Sequence, residues 1–416
     1  MKPIKELLII RMSALGDVAM TIPIIYLLAE QNPSISIRVL TRERFKGLFF
    51  SCPANISIIS CDFGLSNGIL GIWRLFKCIK KYHIDAIADL HGILRSYILD
   101  FLFAITGTKV AIVHKSRSKR KALTRLKNKR KVQQKSFFDR YVEVFKRLGL
   151  DVQLSQNSSY LPVITKEDRK ENIKRIGIAP FARYFTKVYP AELMKTVINN
   201  LSQKGYAIYL FGNGAHEYNI MQSLIAESPN ASIVPDKLSF QEQLEFMATL
   251  DVMVSMDSAN MHLASLVNIP VASIWGGTTP LCGFLGWQQS KENAICMDLP
   301  CQPCSISGTA ECPLHHFSCM NSISPDRVIQ NIENIITLNK NKRYYLYYQS
   351  SCTLSRHFLI HSKAHIPFIQ LAAWWFTMYI FRPDKNLLPR IAARFSNSRI
   401  FNHHSISYHL DISGIS

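Results

Sequence analysis

Acidic residues are scarce in this chain of 416 residues: 29 Asp and Glu stand against 49 Lys and Arg, a formal net charge of +20. That deficit implies an anionic partner, whether nucleic acid, an anionic membrane surface or a phosphorylated substrate. Long apolar runs are missing as well. No segment reaches the roughly 18 to 20 apolar residues that span a bilayer, so no transmembrane helix is expected. The first apolar run is a few residues long and is bracketed by Lys5 and Arg11, which does not read as a secretory signal. A cytoplasmic chain is therefore expected, with its ten cysteines as thiols or metal ligands rather than disulfides. High charge density is absent too. With 19% charged and 48% apolar residues and a mean hydropathy of +0.05, most of the chain is not disordered, and its length predicts two or three domains.

Strand-like and helix-like segments alternate through residues 1–160, with strands expected at 6–11, 35–41, 56–60, 85–90 and 109–113 and helices at 18–30, 42–50, 69–82, 94–105 and 137–148. This alternation predicts a parallel α/β sheet. Within it, ten of the 17 residues from Lys115 to Lys131 are Lys or Arg and none is acidic; the run is either a solvated loop or an anion-facing surface. Leu150 to Lys170 is polar and aperiodic and reads as an interdomain linker. A second α/β series follows over 171–340, with strands at 175–179, 206–211, 231–234, 252–255 and 270–275 and helices at 190–203, 215–226, 240–249, 259–266 and 325–338. Two such domains create a cleft, and ligands bind at the carboxyl ends of the strands. The tail, 344–416, contains an apolar run from Ile366 to Phe381 with Trp374, Trp375 and Tyr379. It suits either a membrane-interface segment or a core helix.

The chemistry-bearing stretches lie where strands give way to helices. Arg11-Met12-Ser13-Ala14-Leu15-Gly16-Asp17-Val18 follows the strand Leu7-Leu8-Ile9-Ile10. Gly16 permits a tight turn or close approach of a ligand, and Asp17 stands where a capping carboxylate is favourable. Asp257-Ser258-Ala259-Asn260-Met261-His262 places small residues and a histidine at a helix start, a ready phosphate site, or an ordinary cap. Arg183, Thr186 and Lys187 precede Pro190 and can set two cations and a hydroxyl beside a diphosphate; a basic loop is the plainer alternative. Gly212-Asn213-Gly214 has two glycines of a dinucleotide fingerprint and lacks the third, with Glu217 placed for a ribose or base contact. Asp89-Leu90-His91-Gly92, with Arg95 one turn on, is either an acceptor contact or a capped helix start.

No Asp-x-Asp pair occurs in the chain, so charge on a departing diphosphate would have to be met by the Lys187 loop and the 258–262 helix start rather than by a metal held on such a pair. Cys301, Cys304, Cys312 and Cys319, spaced C-x2-C-x7-C-x6-C with His315 and His316 between, could hold a structural zinc or an iron–sulfur cluster, or remain reduced thiols in a long loop.

Taken together, Arg11-Met12-Ser13-Ala14-Leu15-Gly16-Asp17-Val18, Asp89-Leu90-His91, Lys187-Val188-Tyr189-Pro190 and Asp257-Ser258-Ala259-Asn260-Met261-His262-Leu263-Ala264 resemble glycosyltransferase family 9, the ADP-heptose:lipopolysaccharide heptosyltransferases. They occur in the family's order, and the similarity covers about residues 5–340. The resemblance implies a GT-B fold: two Rossmann-like domains facing a cleft, acceptor on 1–160, nucleotide-sugar on 171–340, with an extra tail. It implies inverting, metal-independent transfer of a heptose from ADP-heptose, with no cofactor required. By the same resemblance Asp17 is the general base, and Thr186, Lys187, Ser258, Ala259 and His262 hold the diphosphate. Arg183, Glu217 and Asp257 complete the donor side of this reading. Ser13, Gly16, Asp89, His91, Arg95, Arg117 and Arg120 form its acceptor side. The expected acceptor is an anionic lipid-linked saccharide at the inner face of the inner membrane, with the chain peripheral on that surface. Two positions depart from the family: Ala259 replaces a glycine, and Tyr189 stands where tryptophan is common. The competing readings are a nucleic-acid-binding protein and a non-catalytic nucleotide-sugar-binding protein.

Overall fold

The computed structural model describes residues 3–60, 68–154 and 173–338, all within one compact unit, Met1–Lys342. Most of the expected linker, from 155 to 170, and the tail with its 366–381 segment lie outside the described residues.

Five parallel strands form the first sheet: β1 (Glu6–Ile10), β2 (Ser36–Thr41), β3 (Ile56–Ser60), β4 (Ala86–Asp89) and β5 (Lys109–Ile112), in the order β3-β2-β1-β4-β5. The second sheet holds β6 (Arg175–Ala179), β7 (Ala207–Leu210), β8 (Ala231–Ile233), β9 (Val252–Met256), β10 (Val271–Trp275) and β11 (Ala294–Cys296), in the order β11-β10-β9-β6-β7-β8. The central strands β1, β4, β6 and β9 are almost wholly buried. That is why they read as continuous apolar runs: helices cover both faces of a parallel sheet. Strand order reverses at β1 in one sheet and at β6 in the other, and the crevice for a ligand opens at such a reversal. The Arg11–Asp17 turn leaves β1, and the Phe181–Pro190 loop leaves β6.

Around the first sheet run α1 (Leu15–Gln31), α2 (Gly68–Lys80), α3 (Leu94–Ala104), α4 (Arg117–Thr124) and α5 (Phe137–Leu148). Around the second run α6 (Ala191–Gln203), α7 (Gly214–Ile225), α8 (Phe240–Ala248), α9 (Ala259–Leu266), α10 (Ser318–Asn321) and the helix at 325–338. The structure departs from expectation in four places. Residues expected as a helix at 42–50 form a 3-10 turn, Glu43–Leu48. The basic run contains α4, which buries Leu123 alone and so shows no apolar stripe to read. β11 and α10, three and four residues long, are too short for a periodic signal.

The core is continuous across the two sheets. One apolar cluster includes Ile9, Ile24 and Tyr141 from the first half with Met261, Trp275 and Trp287 from the second. A seam reinforces it. Gln134 N–H donates to Leu281 O at 2.9 Å and Phe137 N–H to Gly283 O at 3.2 Å. Phe137 stacks on Phe284 with centroids 4.5 Å apart, and Phe138 meets Trp287 edge-on at 4.9 Å. The second half of the basic run is part of this seam: Lys129 donates to the carbonyls of Cys301 and Pro303, and Lys131 pairs with Asp298 and donates to Leu299 O.

Gly283 has φ of +82°, and a Cβ there would stand 2.6 Å from Lys135 O. Gly283→Ala should therefore destabilise the chain by more than the roughly 1–2 kcal/mol of left-handed backbone strain alone; thermal and denaturant unfolding measure it, and a variant as stable as wild type would show that the seam does not constrain the fold.

Candidate active site

Asp17 sits in the first turn of α1, directly after the β1 exit. Its Oδ1 pairs with Arg11 at 2.7 Å, and its Oδ2 accepts the Ala14 N–H at 3.2 Å. Arg11 is buried and also donates to Leu90 O at 2.5 Å, while Asp17 keeps 31% of its side chain exposed. Burial raises the Asp17 pKa, but the Arg11 charge, the Ala14 N–H and the field of His262 outweigh it, and the net shift is downward. The carboxylate is ionised, fixed and open on one side.

Beneath it, Asp89 closes the β4 exit. It is fully buried; Oδ1 accepts the N–H groups of His91 (2.7 Å) and Gly92 (3.0 Å), and Oδ2 takes the Gly92 N–H at 3.1 Å. This turns His91 toward Ser13, whose Oγ lies 3.3 Å from His91 Nε2. Burial first, then the charges of Arg11 and Lys115, push the His91 pKa down to about 3, so the ring is neutral. Lys115 donates to Gly92 O at 3.0 Å. Arg120 lies over the Phe137 ring at 5.0 Å and within the electrostatic reach of Asp17. Next to Asp89, the buried Asp100 has its pKa raised, by burial first and then by the charge and hydrogen bond of Asp89, so it holds a proton.

On the other side, α9 begins after β9. A Cβ on Gly16 would fall 2.9 Å from His262 Cδ2 and 3.2 Å from Ala259 Cα; only glycine lets the starts of α1 and α9 meet this closely. His262 is buried, its pKa lowered to about 4 by desolvation against the pull of Asp257 and Asp17. Lys187 Nζ pairs with Asp257 Oδ2 at 2.9 Å, and Thr278 Oγ1 donates to the same oxygen at 2.6 Å. Ser258 stands at the N-cap position of α9 without a side-chain capping bond, and its Oγ lies 3.3 Å from Ser255 Oγ.

The structure thus brings Ser13, Gly16, Asp17, His91, Lys187, Asp257, Ala259 and His262 into one neighbourhood. The other expected residues take these positions. Asp89 has both carboxylate oxygens committed to backbone N–H groups, so it shapes the turn instead of facing an acceptor. Thr186 is buried, and its hydroxyl donates to Thr309 O at 3.0 Å and accepts from Thr309 N at 2.9 Å; it closes the loop rather than facing a diphosphate. Asp257 is bound to Lys187 and so aims that cation. Glu217 accepts the Asn213 N–H at 2.7 Å across the turn into α7. Arg183 is exposed beside the Tyr184 ring. Arg95 and Arg117 make no hydrogen bond or ion pair with Asp17, Ser13 or His91 among the described residues.

For the cysteines, no group of three or more His, Cys, Asp or Glu side chains among the described residues is arranged to hold a metal ion. Cys319 is packed in the apolar core. Cys304 Sγ lies 3.5 Å from Gly277 O, and Cys301 Sγ lies 3.8 Å from His316 Nε2. The four thiols do share one neighbourhood: burial first, then Cys304, Cys301 and Cys312, push the Cys319 pKa up to about 12. Sequence reading missed Arg11, Lys115, Thr278 and Tyr141. Thr278 follows Gly276-Gly277 at the β10 exit, the same strand-end signal as the other turns. The wholly buried Tyr141 lies within the field of Arg11 and Asp17, and its periodic core position gave no cue.

A family model described as "Glycosyltransferase family 9 (heptosyltransferase)" matches residues 72–315. Lipooligosaccharide heptosyltransferase 2 of Campylobacter jejuni is 27% identical over 198 residues, 46% of this chain and 59% of that protein; the chain thus spans less than two thirds of that relative. Lipopolysaccharide heptosyltransferase 1 of Pseudomonas aeruginosa is 24% identical over 315 residues, 72% of this chain and 86% of that protein. Among solved structures, a glycosyl transferase family 9 protein from Veillonella parvula superposes with a TM-score of 0.62 at 18% identity, covering 81% of this chain and 99% of that one. The E. coli heptosyltransferase WaaC with ADP gives 0.58 at 19% identity, covering 79% and 99%. These likenesses show the GT-B fold.

His262 and His91 fold as neutral rings with pKa values of about 4 and about 3, against an ordinary 6.5. As pH falls from 6.5, the unfolded chain gains protons that the folded chain refuses until those values are reached. Stability should therefore drop toward acid, by up to about 1.4 kcal/mol per pH unit for each ring. Asp100, raised above 3.8, has the opposite slope, because its contribution is lost as pH rises. Denaturant titrations at stepped pH should show the acid-side fall flattened in His91→Gln and steepened in Asp100→Asn; parallel curves for all three proteins would contradict the assignment.

Proposed function

The chain belongs to glycosyltransferase family 9, and from that premise we propose that it is an inverting heptosyltransferase of lipopolysaccharide core assembly. In this reading it takes ADP-heptose as donor and needs no metal for transfer. The observation that carries it is the ionised, part-exposed Asp17, braced by Arg11 and following Gly16, which meets the start of α9. An acceptor hydroxyl gives its proton to Asp17 while its oxygen bonds to the anomeric carbon. On the opposite face of the sugar, the bond from that carbon to the β-phosphate oxygen breaks, and ADP leaves with the electron pair. A single displacement of this kind inverts the anomeric centre.

Charge on the leaving ADP is met by Lys187, held in place by Asp257 and Thr278, by Arg183, and by the unpaired N–H groups and positive dipole end of α9. The donor assignment is supported by the E. coli relative whose structure contains ADP. His262 and His91 each carry a buried Nδ1 without a protein partner among the described residues, and these suit substrate oxygens. Lys115 and Arg120 give the acceptor side a cationic wall for an anionic, lipid-linked saccharide. The first 160 residues act as the acceptor half and residues 171–340 as the donor half, at the inner face of the inner membrane. Lys129 and Lys131, drawn into the seam, weaken the case for nucleic acid.

Asp17→Asn should lower turnover by roughly 10²–10⁴-fold while leaving ADP affinity by calorimetry nearly intact; mass spectrometry of products from ADP-heptose and a lipid-linked inner-core acceptor reads transfer, and wild-type turnover in the variant would sink the base assignment. Excess chelator should leave the wild-type rate unchanged, and loss restored by a divalent cation would overturn metal independence.

A further inference from the structure

Helices α2 and α3 pack side by side on the first sheet and bury one face of each. Leu75, Phe76, Ile79, Leu99 and Phe103 enter the core there, with the Phe76 and Phe103 rings edge-on at 4.8 Å. Their outward faces are also apolar. On α3, Leu94, Tyr97, Phe101 and Ile105 recur at intervals of three and four residues, a single stripe along the helix. On α2, Ile69 and Trp73 continue the surface. Ile69, Leu94, Phe101 and Ile105 are 64–74% exposed. Isolated exposed apolar residues are ordinary, but a contiguous stripe on two adjacent helices marks an interaction surface.

Charge identifies the partner. α2 has no acidic residue, and the single acid of α3, Asp100, is buried. The far end of α2 carries Lys77 and Lys80, followed by Lys81. These three line a cavity of about 970 Å³ where β1, β4 and β5 begin, together with Lys109, which donates to Leu148 O, and the half-buried Asp85. An apolar stripe beside a cluster of lysines, on two helices that expose no acid, is the composition of a helix lying in the headgroup region of an anionic bilayer. Position agrees. Leu94 begins α3 two residues after the His91-Gly92 turn of the candidate site, so a surface docked on this stripe brings lipid to the acceptor side of Asp17.

We infer that the α2–α3 face docks on an anionic phospholipid bilayer, with the stripe at the level of the acyl boundary and Lys77, Lys80 and Lys81 against headgroup phosphates. This contact is separate from the expected interface segment 366–381, which lies outside the described residues. It rests on the proposed reading only for its purpose, delivery of a lipid-linked acceptor, since docking itself needs neither donor nor acceptor.

Sedimentation of the full chain with vesicles tests it. Phosphatidylethanolamine–phosphatidylglycerol vesicles should bind the wild type at least about tenfold more strongly than phosphatidylcholine vesicles, with binding falling as salt rises. Lys77→Glu/Lys80→Glu/Lys81→Glu and, separately, Phe101→Ser/Ile105→Ser should each lower partitioning by about tenfold or more. Both should keep wild-type melting, ADP affinity and transfer to a delipidated acceptor, while losing transfer to acceptor embedded in vesicles. Wild-type partitioning in either variant overturns the inference, as does equal binding to the two vesicle types. A wild type that dimerises, with both variants monomeric and unable to bind vesicles only because the dimer is lost, would assign the face to a second copy of the chain and overturn it too. Vesicle binding without any heptose transfer would refute the proposed activity and leave the docking face standing; transfer without vesicle binding would do the reverse.

Discussion

The structure turns on the close approach of two helix starts at Gly16. α1 leaves the first sheet and α9 leaves the second, and the hydrogen at Gly16 is all that separates their backbones from a clash with Ala259 and His262. Each start presents unpaired N–H groups and the positive end of a helix dipole. Bringing two such ends together concentrates positive potential at one point. Asp17, in the first turn of α1, answers part of it from within the chain. The remainder is positive potential that suits an anionic ligand.

Around that point the charges are held in chains. Arg11 is locked between Asp17 and Leu90 O, and Lys187 is locked to Asp257, which Thr278 holds in turn. Pairs this buried are fixed more by the cost of leaving a partner unpaired than by their net attraction. Their value to the site is geometric: a carboxylate on one side and a cation on the other cannot swing away. The same logic explains Asp89, whose carboxylate ties down the backbone that carries His91, and Asp100, which keeps a proton because burial first, and then the charge of Asp89, disfavour its ionised form.

Burial of polar groups near the site contrasts with the α2–α3 face, where apolar groups are left in the open. Both break the usual arrangement of inside and outside; the buried polar groups come from both halves of the chain, and the open apolar face belongs to the first. The half that carries Asp17, the proposed base, thus also carries the surface proposed for a lipid-borne acceptor, while the second half supplies the cation and helix start suited to a diphosphate.

Much of this was readable from the sequence. Buried parallel strands are continuous apolar runs, so β1, β4, β6 and β9 announced themselves, and the turns that follow them marked where a ligand would sit. Gly16, Asp17, Lys187 and His262 could be singled out because each interrupts such a pattern at a strand exit. The basic run could not be resolved: α4 has no apolar period, and nothing local distinguishes Lys129 and Lys131, which cross to carbonyls some 172 residues away, from lysines in solvent. Which groups Asp89, Asp257 and Thr186 would bond to was equally hidden, since a carboxylate or hydroxyl at a strand exit looks the same whether its partner is a ligand or a loop. Residue type and spacing determined which elements form and where chemistry is concentrated, because these depend on local period and on strand order. Which polar groups turn inward, which cations bridge the two sheets and which apolar face stays uncovered were decided only by tertiary packing, because each depends on partners far away in the chain.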